Sequence, residues 1–328
     1  MIQICQFGAG CMGAIHAANV TLNPRSVLRY VVDVDRQAAR DMAARHGAQV
    51  VEAEAALRDP ALDAVIVASS TDTHADISQA ACRAGKAVFC EKPIDLDIAR
   101  ADAVVKTVEE TGAVMQVGFN RRFDPGFAAL HEALRGGRIG KVELVAITSR
   151  DPEPPPLDYV RKSGGLFRDM MIHDFDMARW LLGAEPVEVY AAAACLIDPA
   201  IGEAGDVDTA AVTLRTADGA LCQISNSERA VYGYDQRIEV FGSEGMLRAG
   251  NRTPTTLEIS DANGVHTDKP LYFFEERYAD AYRRELDHFL DCVGEGKPPL
   301  VGAEDGRRAL ILADAAAASL GSGQPVRV

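Results

Sequence analysis

The first 120 residues alternate short, continuously apolar runs with helix-forming stretches, and few folds accept that pattern. Ile2–Phe7, Leu28–Val32, Ala64–Ala68, Ala87–Cys90 and Val114–Gly118 read as strands. Between them Gly13–Asn23, an Ala-rich stretch through Arg45, Thr73–Ala84 and Asp97–Gly112 read as helices. The runs VVDV, AVIVAS and AVFC are apolar at successive positions rather than at every second one. Strands buried on both faces by helices have that signature, so this region is expected to be a doubly wound α/β domain around a parallel sheet.

Beyond residue 120 the pattern changes. Helical stretches are predicted at 124–135, 169–182 and 278–293. Strand-like runs occupy 139–149, 187–195, 208–215, 220–228, 236–241 and 246–249. Strands that follow one another without helices predict an α+β domain on a largely antiparallel open sheet. The segment Asp151–Pro156 is too rich in proline to lie inside a central strand. A last Ala-rich helix, Glu304–Leu320, is expected to return to the first domain. The 328 residues thus divide into a nucleotide-binding domain, 1–120, and a second domain, 121–328.

Gly8-Ala9-Gly10-Cys11-Met12-Gly13 fits GxGxxG between the first strand and the first helix, the context in which this pattern signifies a dinucleotide site. Gly8 serves the tight turn, Gly10 the approach of a pyrophosphate, and Gly13 the close packing of helix on strand. Cys11 and Met12 lie in the same loop and join the candidate cofactor contacts, where phosphates meet a helix N-terminus. Asp33 ends the second strand, where an acid takes the adenosine ribose hydroxyls. With Asp35 nearby it disfavours a 2′-phosphate, so NAD is expected rather than NADP. Ser70 and Thr71, at the carboxyl end of a later strand, are candidates for cofactor contact and equally for helix capping.

Glu91-Lys92-Pro93 follows the buried run AVFC at the next carboxyl end. Glu91 and Lys92 are placed beside the nicotinamide, where a lysine can stabilise negative charge growing on an oxidised hydroxyl. In the second domain Asp169 and His173 stand four residues apart, on one face of a helix. A carboxylate there can orient an imidazole that accepts a hydroxyl proton near neutral pH. Taken singly, the lysine and the Asp–His pair each read more readily as ordinary surface groups.

The segments GAGCMG, STDTHA, EKPIDLD, VGFNRRFDPGF and SGGLFRDMMIHDFDMARWLLG together resemble the Gfo/Idh/MocA oxidoreductases over the whole chain, and within them the inositol dehydrogenases. The resemblance implies a Rossmann domain followed by an open-sheet domain that assembles dimers or tetramers. It implies NAD as cofactor and a cyclic polyol as substrate, oxidised at a ring hydroxyl. Its Lys–Asp–His catalytic set falls on Lys92, Asp169 and His173, with His173 as base. Asn120, Arg122, Tyr232 and Tyr234 match stretches that line the substrate pocket, or else pack. Cys11-Met12 departs from the polar or basic residue expected first in that pair, leaving the glycines intact. A pyranose sugar as substrate, NAD-dependent cleavage of a glycosidic bond, and a silent NAD-binding protein are the alternatives.

The formal net charge of −14 excludes non-specific nucleic-acid binding. No apolar run nears the roughly 18 residues that span a bilayer, and no secretory leader is read at the N-terminus. The seven cysteines form no CxxC pair, so reduced thiols, a cytoplasmic location and no metal site are expected.

Overall fold

A computed structural model describes residues 1–328 as two compact units. Met1–Phe123 with Ala281–Leu310 make the first, and Asp124–Asp280 with Ile311–Val328 make the second. The first unit opens with β1 (Ile2–Phe7), α1 (Cys11–Leu22), β2 (Ser26–Val32), α2 (Arg36–His46), β3 (Gln49–Val50) and α3 (Ala53–Arg58). It continues through β4 (Ala64–Val67), α4 (Thr71–Arg83), β5 (Ala87–Cys90), α5 (Ile98–Thr111) and β6 (Met115–Val117). The six strands are parallel, in the order β3-β2-β1-β4-β5-β6. Every residue of β4 is buried, as a sheet covered on both faces requires. Strand order reverses between β1 and β4, and open sheets of this kind bind ligands beyond the carboxyl ends of the strands at such a reversal. Ile4, Val20, Leu28 and Ile66 pack with Leu286, Phe289 and Leu290, which come from a helix near the end of the chain. Between β1 and β6 two elements are not indicated by the sequence, β3 and α3, with two and six residues; neither is long enough to display a period.

The second unit contains α6 (Pro125–Arg135), β7 (Val142–Arg150), α7 (Leu157–Ser163), α8 (Leu166–Asp169), α9 (Ile172–Leu182), β8 (Pro186–Ala194) and α10 (Pro199–Glu203). There follow β9 (Thr209–Thr216), β10 (Leu221–Ser227), β11 (Asp235–Gly242), β12 (Gly245–Ala249), the exposed hairpin β13 (Glu258–Asp261) and β14 (Gly264–Thr267), and α11 (Phe274–Arg277). The chain ends with α12 (Ala279–Glu295), α13 (Ala303–Ser322) and β15 (Val326–Arg327). Seven strands form one sheet in the order β12-β11-β7-β10-β9-β8-β15. All neighbours in it are antiparallel save β7 and β10, which run parallel. The long excursion between those two strands supplies the crossover that a parallel pair needs.

Burial alternates along β9 and β10, as in a sheet with one face on a core and one open. Val145, Ile147, Cys222 and Ile224 lie on the buried face, and α9 packs against β7 and β10. On the other face the register aligns Met246, Phe241, Leu144 and Leu221 as cross-strand neighbours. Phe241 and Met246 are about half exposed, at 49% and 50%.

Candidate active site

The glycine loop has the geometry its residues predict. Gly8 sits at φ +98°, and a Cβ there would fall 2.2 Å from the Ala68 carbonyl oxygen. On Gly13 a Cβ would fall 2.1 Å from the Gly8 oxygen, whereas on Gly10 it would meet nothing within 4 Å. Gly10 is the N-cap of α1, so open space lies at the positive end of that helix. Cys11 is exposed and Met12 half-buried at that mouth. Asp33 accepts from the Ala9 N–H at 2.6 Å and from the Asp35 N–H at 2.7 Å. One carboxylate therefore holds the loop and the end of β2 together, and its remaining lone pairs stay available to a ribose. Ser70 occupies the N-cap of α4 but its hydroxyl makes no capping bond, and Thr71 begins the helix. These residues fit a bound dinucleotide.

The Glu91–Pro93 turn leaves β5 with the Glu91 N–H on the Val67 carbonyl oxygen at 2.9 Å. The Lys92–Pro93 peptide bond is cis, and Lys92 is half-buried. Glu91 is buried, its Oε1 2.6 Å from Nε2 of His16. Its side chain thus faces the interior of the unit and engages α1, where the sequence reading placed it against the cofactor. His74 donates from Nδ1 to the Pro93 carbonyl oxygen at 2.8 Å, and its Nε2 faces the Ser69 carbonyl oxygen at 3.1 Å. Behind Glu91 lies Glu285, fully buried, with neither carboxyl oxygen hydrogen-bonded. Burial, reinforced by Glu91, pushes its pKa well above the usual carboxylic range. His16, His74 and Glu285 were all missed in the sequence. His16 had a signal: it follows Gly13 by three residues and so shares a face of α1 with it.

Asn120 and Arg122 lie in a single 3-10 turn, Asn120–Phe123, and both are buried. Arg122 donates to the Leu300 carbonyl oxygen at 3.0 Å and to Asp305 Oδ1 at 2.9 Å, which ties the turn to the start of α13. The Asn120 amide oxygen is buried without a donor.

In the second unit the helix expected over 169–182 is broken. Asp169 ends α8, His173 is the second residue of α9, and Met170 and Met171 intervene in right-handed helical conformation. The Met171 N–H reaches back five residues to the Leu166 carbonyl oxygen at 2.8 Å, while the Asp174 N–H reaches only three, to Met171, at 2.9 Å. A wide turn followed by a tight one is a π-type irregularity, a feature that gathers at functional sites. Gly165, at φ +81°, lets the chain enter α8 against Asp206; a Cβ there would lie 2.6 Å from the carboxylate. Asp206 accepts the Leu166 N–H with both oxygens at 3.1 Å, and Tyr159 donates to Asp169 at 3.1 Å. Asp169 and His173 are both half-buried. Glu228 is buried with one oxygen lacking a donor. Desolvation, with Asp206, Asp151, Asp208 and Asp169 around it, pushes its pKa up to about 8.

Two further expectations fall on residues with other engagements. Tyr232 donates to Asp235 at 2.7 Å and accepts from Arg150 at 3.1 Å. Tyr234 is buried, edge-on to Phe273 and Tyr278. None of the seven cysteines is in a disulfide, and burial raises the thiols of Cys82 and Cys90 to about 11 and about 12. No group of three or more His, Cys, Asp or Glu side chains is placed to hold a metal ion, and no helix is long and apolar enough to cross a membrane.

Residues 2–119 match the oxidoreductase family with NAD-binding Rossmann fold, and residues 127–248 match the GFO/IDH/MocA C-terminal domain. The chain is 50% identical to an inositol 2-dehydrogenase of Rhizobium meliloti, over 98% of this chain and 97% of that one. Its fold superposes on a myo-inositol dehydrogenase of Corynebacterium glutamicum with a TM-score of 0.96 at 41% identity, over 100% and 99% of the two chains. A scyllo-inositol dehydrogenase of Lactobacillus casei, solved with bound NAD(H) and scyllo-inositol, superposes with a TM-score of 0.93 at 28% identity, over 100% and 99%. The chain belongs to the GFO/IDH/MocA oxidoreductases, and its first unit is their NAD-binding Rossmann domain.

Proposed function

We propose that this oxidoreductase oxidises a ring hydroxyl of an inositol, with NAD as the hydride acceptor. The observation that carries the reading is likeness over essentially the full chain to inositol 2-dehydrogenases, in a sequence that keeps the glycine loop, Lys92, Asp169 and His173 together. Oxidising an alcohol requires a group for the hydroxyl proton, a group for the charge on oxygen, and an acceptor for hydride. His173 takes the proton as general base. Asp169 orients the imidazole and offsets the positive charge it gains. Lys92 holds the hydroxyl oxygen and stabilises its developing negative charge. Asp33, by taking ribose hydroxyls, selects NAD over its 2′-phosphorylated form. Asn120 has a buried amide oxygen without a donor, which suits a substrate hydroxyl; Arg122, Tyr232 and Tyr234 complete the proposed surroundings.

Relatives of both stereochemical names share the fold; we favour myo-inositol, the name borne by the relative from Thermotoga maritima at 47% identity. The apolar row of Met246, Phe241, Leu144 and Leu221 on the open sheet face supports a homo-oligomer, with a second copy of the chain as its cover.

Formation of NADH, followed by absorbance with NAD and each of myo-inositol, scyllo-inositol and several aldoses, tests the reaction. A strong signal with one inositol is expected. Turnover of an aldose alone would replace the substrate. NAD binding by titration without NADH from any polyol would favour the redox-neutral cleavage of a glycosidic bond.

A further inference from the structure

Both residues that flank Lys92 are tied to buried histidines. On one side Glu91 meets His16 at 2.6 Å, the two side chains being 8% and 1% exposed. On the other, His74, itself 2% exposed, donates to the Pro93 carbonyl oxygen at 2.8 Å. His16 stands on α1, the helix that opens on the glycine loop, and His74 on α4, which begins with Thr71. The two helices whose first turns serve the proposed cofactor site thus each send one imidazole to a neighbour of Lys92.

Stability alone does not call for this arrangement. The ring of His16 lies among apolar groups, 4.9 Å from Phe89 and 6.1 Å from Tyr282 between centroids. Apolar residues of similar volume there would avoid the desolvation cost of a buried imidazole–carboxylate pair. What the polar contacts supply is direction, since a hydrogen bond weakens steeply when bent or stretched. Space adds to it: a Cβ on Gly118 would lie 2.9 to 3.1 Å from the carboxyl atoms of Glu91, so that carboxylate has little freedom to swing.

We propose that His16 and His74 are positioning residues for Lys92, gripping Glu91 and Pro93 so that the lysine is aimed by the same helices that carry the cofactor loops. This rests on the role given above to Lys92. Neither histidine touches the reacting atoms; each acts through a neighbour in the chain.

The test uses the full chain, with kcat, KM for the inositol and Kd for NAD measured on each variant. Replacing His16 or His74 by Leu is expected to lower kcat by about 10- to 100-fold while Kd for NAD moves less than about threefold, as for a misaligned catalytic group. Gln carries an amide donor near the place of Nε2, and Asn one near the place of Nδ1. His16→Gln and His74→Asn are therefore expected to return kcat to within about fivefold of the parent. His74→Gln, polar but with its donor displaced, is expected to resemble His74→Leu, and it keeps the comparison available should the leucine variant not fold. In a Lys92→Ala background, adding His74→Leu is expected to cost no further activity, because groups that act as a unit are not additive. Leucine variants within twofold of the parent, conservative variants no better than leucine, or additive losses with Lys92→Ala would each overturn the proposal. Near-normal turnover by Lys92→Ala itself would instead overturn the reading of Lys92.

Discussion

The turn that carries Lys92 and the segment that carries Asp169 and His173 are held in different ways. Around Lys92 the fixings are short hydrogen bonds among buried groups: His16 to Glu91, His74 to Pro93, and the Glu91 N–H to Val67. Around Asp169 the surroundings are acidic. Asp206 anchors the entry to α8, and Glu228 lies within the field of Asp169, Asp206, Asp208 and Asp151. A group that must stabilise charge on one oxygen gains from a fixed position. A group that must accept and release a proton gains from a tuned field. The contrast is between a turn fixed by hydrogen bonds in the first unit and a segment set among carboxylates in the second.

The largest effects should come from removing the proposed base. His173→Ala is expected to lower kcat by about 10² to 10⁴ fold, as for loss of general base catalysis, in a saturating NADH-formation assay. Turnover close to the parent would remove His173 from the chemistry and leave the acidic surroundings without a function. The contrast also predicts that Lys92 tolerates no change of shape. Lys92→Arg keeps the charge but replaces a compact ammonium by a planar fork, and should cost about 10-fold or more in kcat. An arginine variant as fast as the parent would show that charge alone suffices and that the tight turn is incidental.

Cofactor choice should respond more gently. Asp33→Ser removes the acceptor for Ala9 and the negative charge that opposes a 2′-phosphate. NAD should bind about 10-fold more weakly, and the ratio of kcat/KM for NADP over NAD should rise by at least that factor, about 1.4 kcal/mol. An unchanged ratio would mean that Asp33 serves the loop and never meets the ribose.

The same two regions differ in how far their sequence reveals them. The Rossmann unit was legible because continuous apolar runs, a glycine loop and a strand-end acid all have fixed meanings in a parallel sheet. The α+β unit was legible as a class, through strands that follow one another. Its parallel β7–β10 pair was not, since register between distant strands leaves no local mark. The spacing of Asp169 and His173 indicated one continuous helix; the π-type turn at Met171 depends on how Gly165 and Asp206 seat α8, a tertiary matter. Arg122 reads in sequence as a pocket cation, and its bonds to Leu300 and Asp305, residues far along the chain, leave no local mark. Glu285 reads in sequence as a charge on an amphipathic helix, and only the packing of α12 shows it buried.

Each unit also buries one acid short of donors, and these two carry the last and smallest predictions. Burial raises the pKa of both Glu285 and Glu228 above the ordinary 4.5, so the folded chain retains protons that the unfolded chain releases. Stability from this source is complete below about pH 4.5 and declines as pH rises towards the folded-state pKa. Glutamine, which never ionises, removes that decline. Glu285→Gln should therefore match the parent in urea unfolding at pH 4.5 and exceed it increasingly as pH rises. For Glu228→Gln the gain should level off near pH 8, where the native carboxyl itself ionises, at on the order of a few kcal/mol. Because Asp169 is among the charges that raise Glu228, ionisation of Glu228 should also place an inflection near pH 8 in kcat, absent from the glutamine variant. A pH-independent stability difference in either variant would mean that the acid is already charged in the folded chain. An inflection that survived Glu228→Gln would separate Glu228 from the pH dependence of turnover.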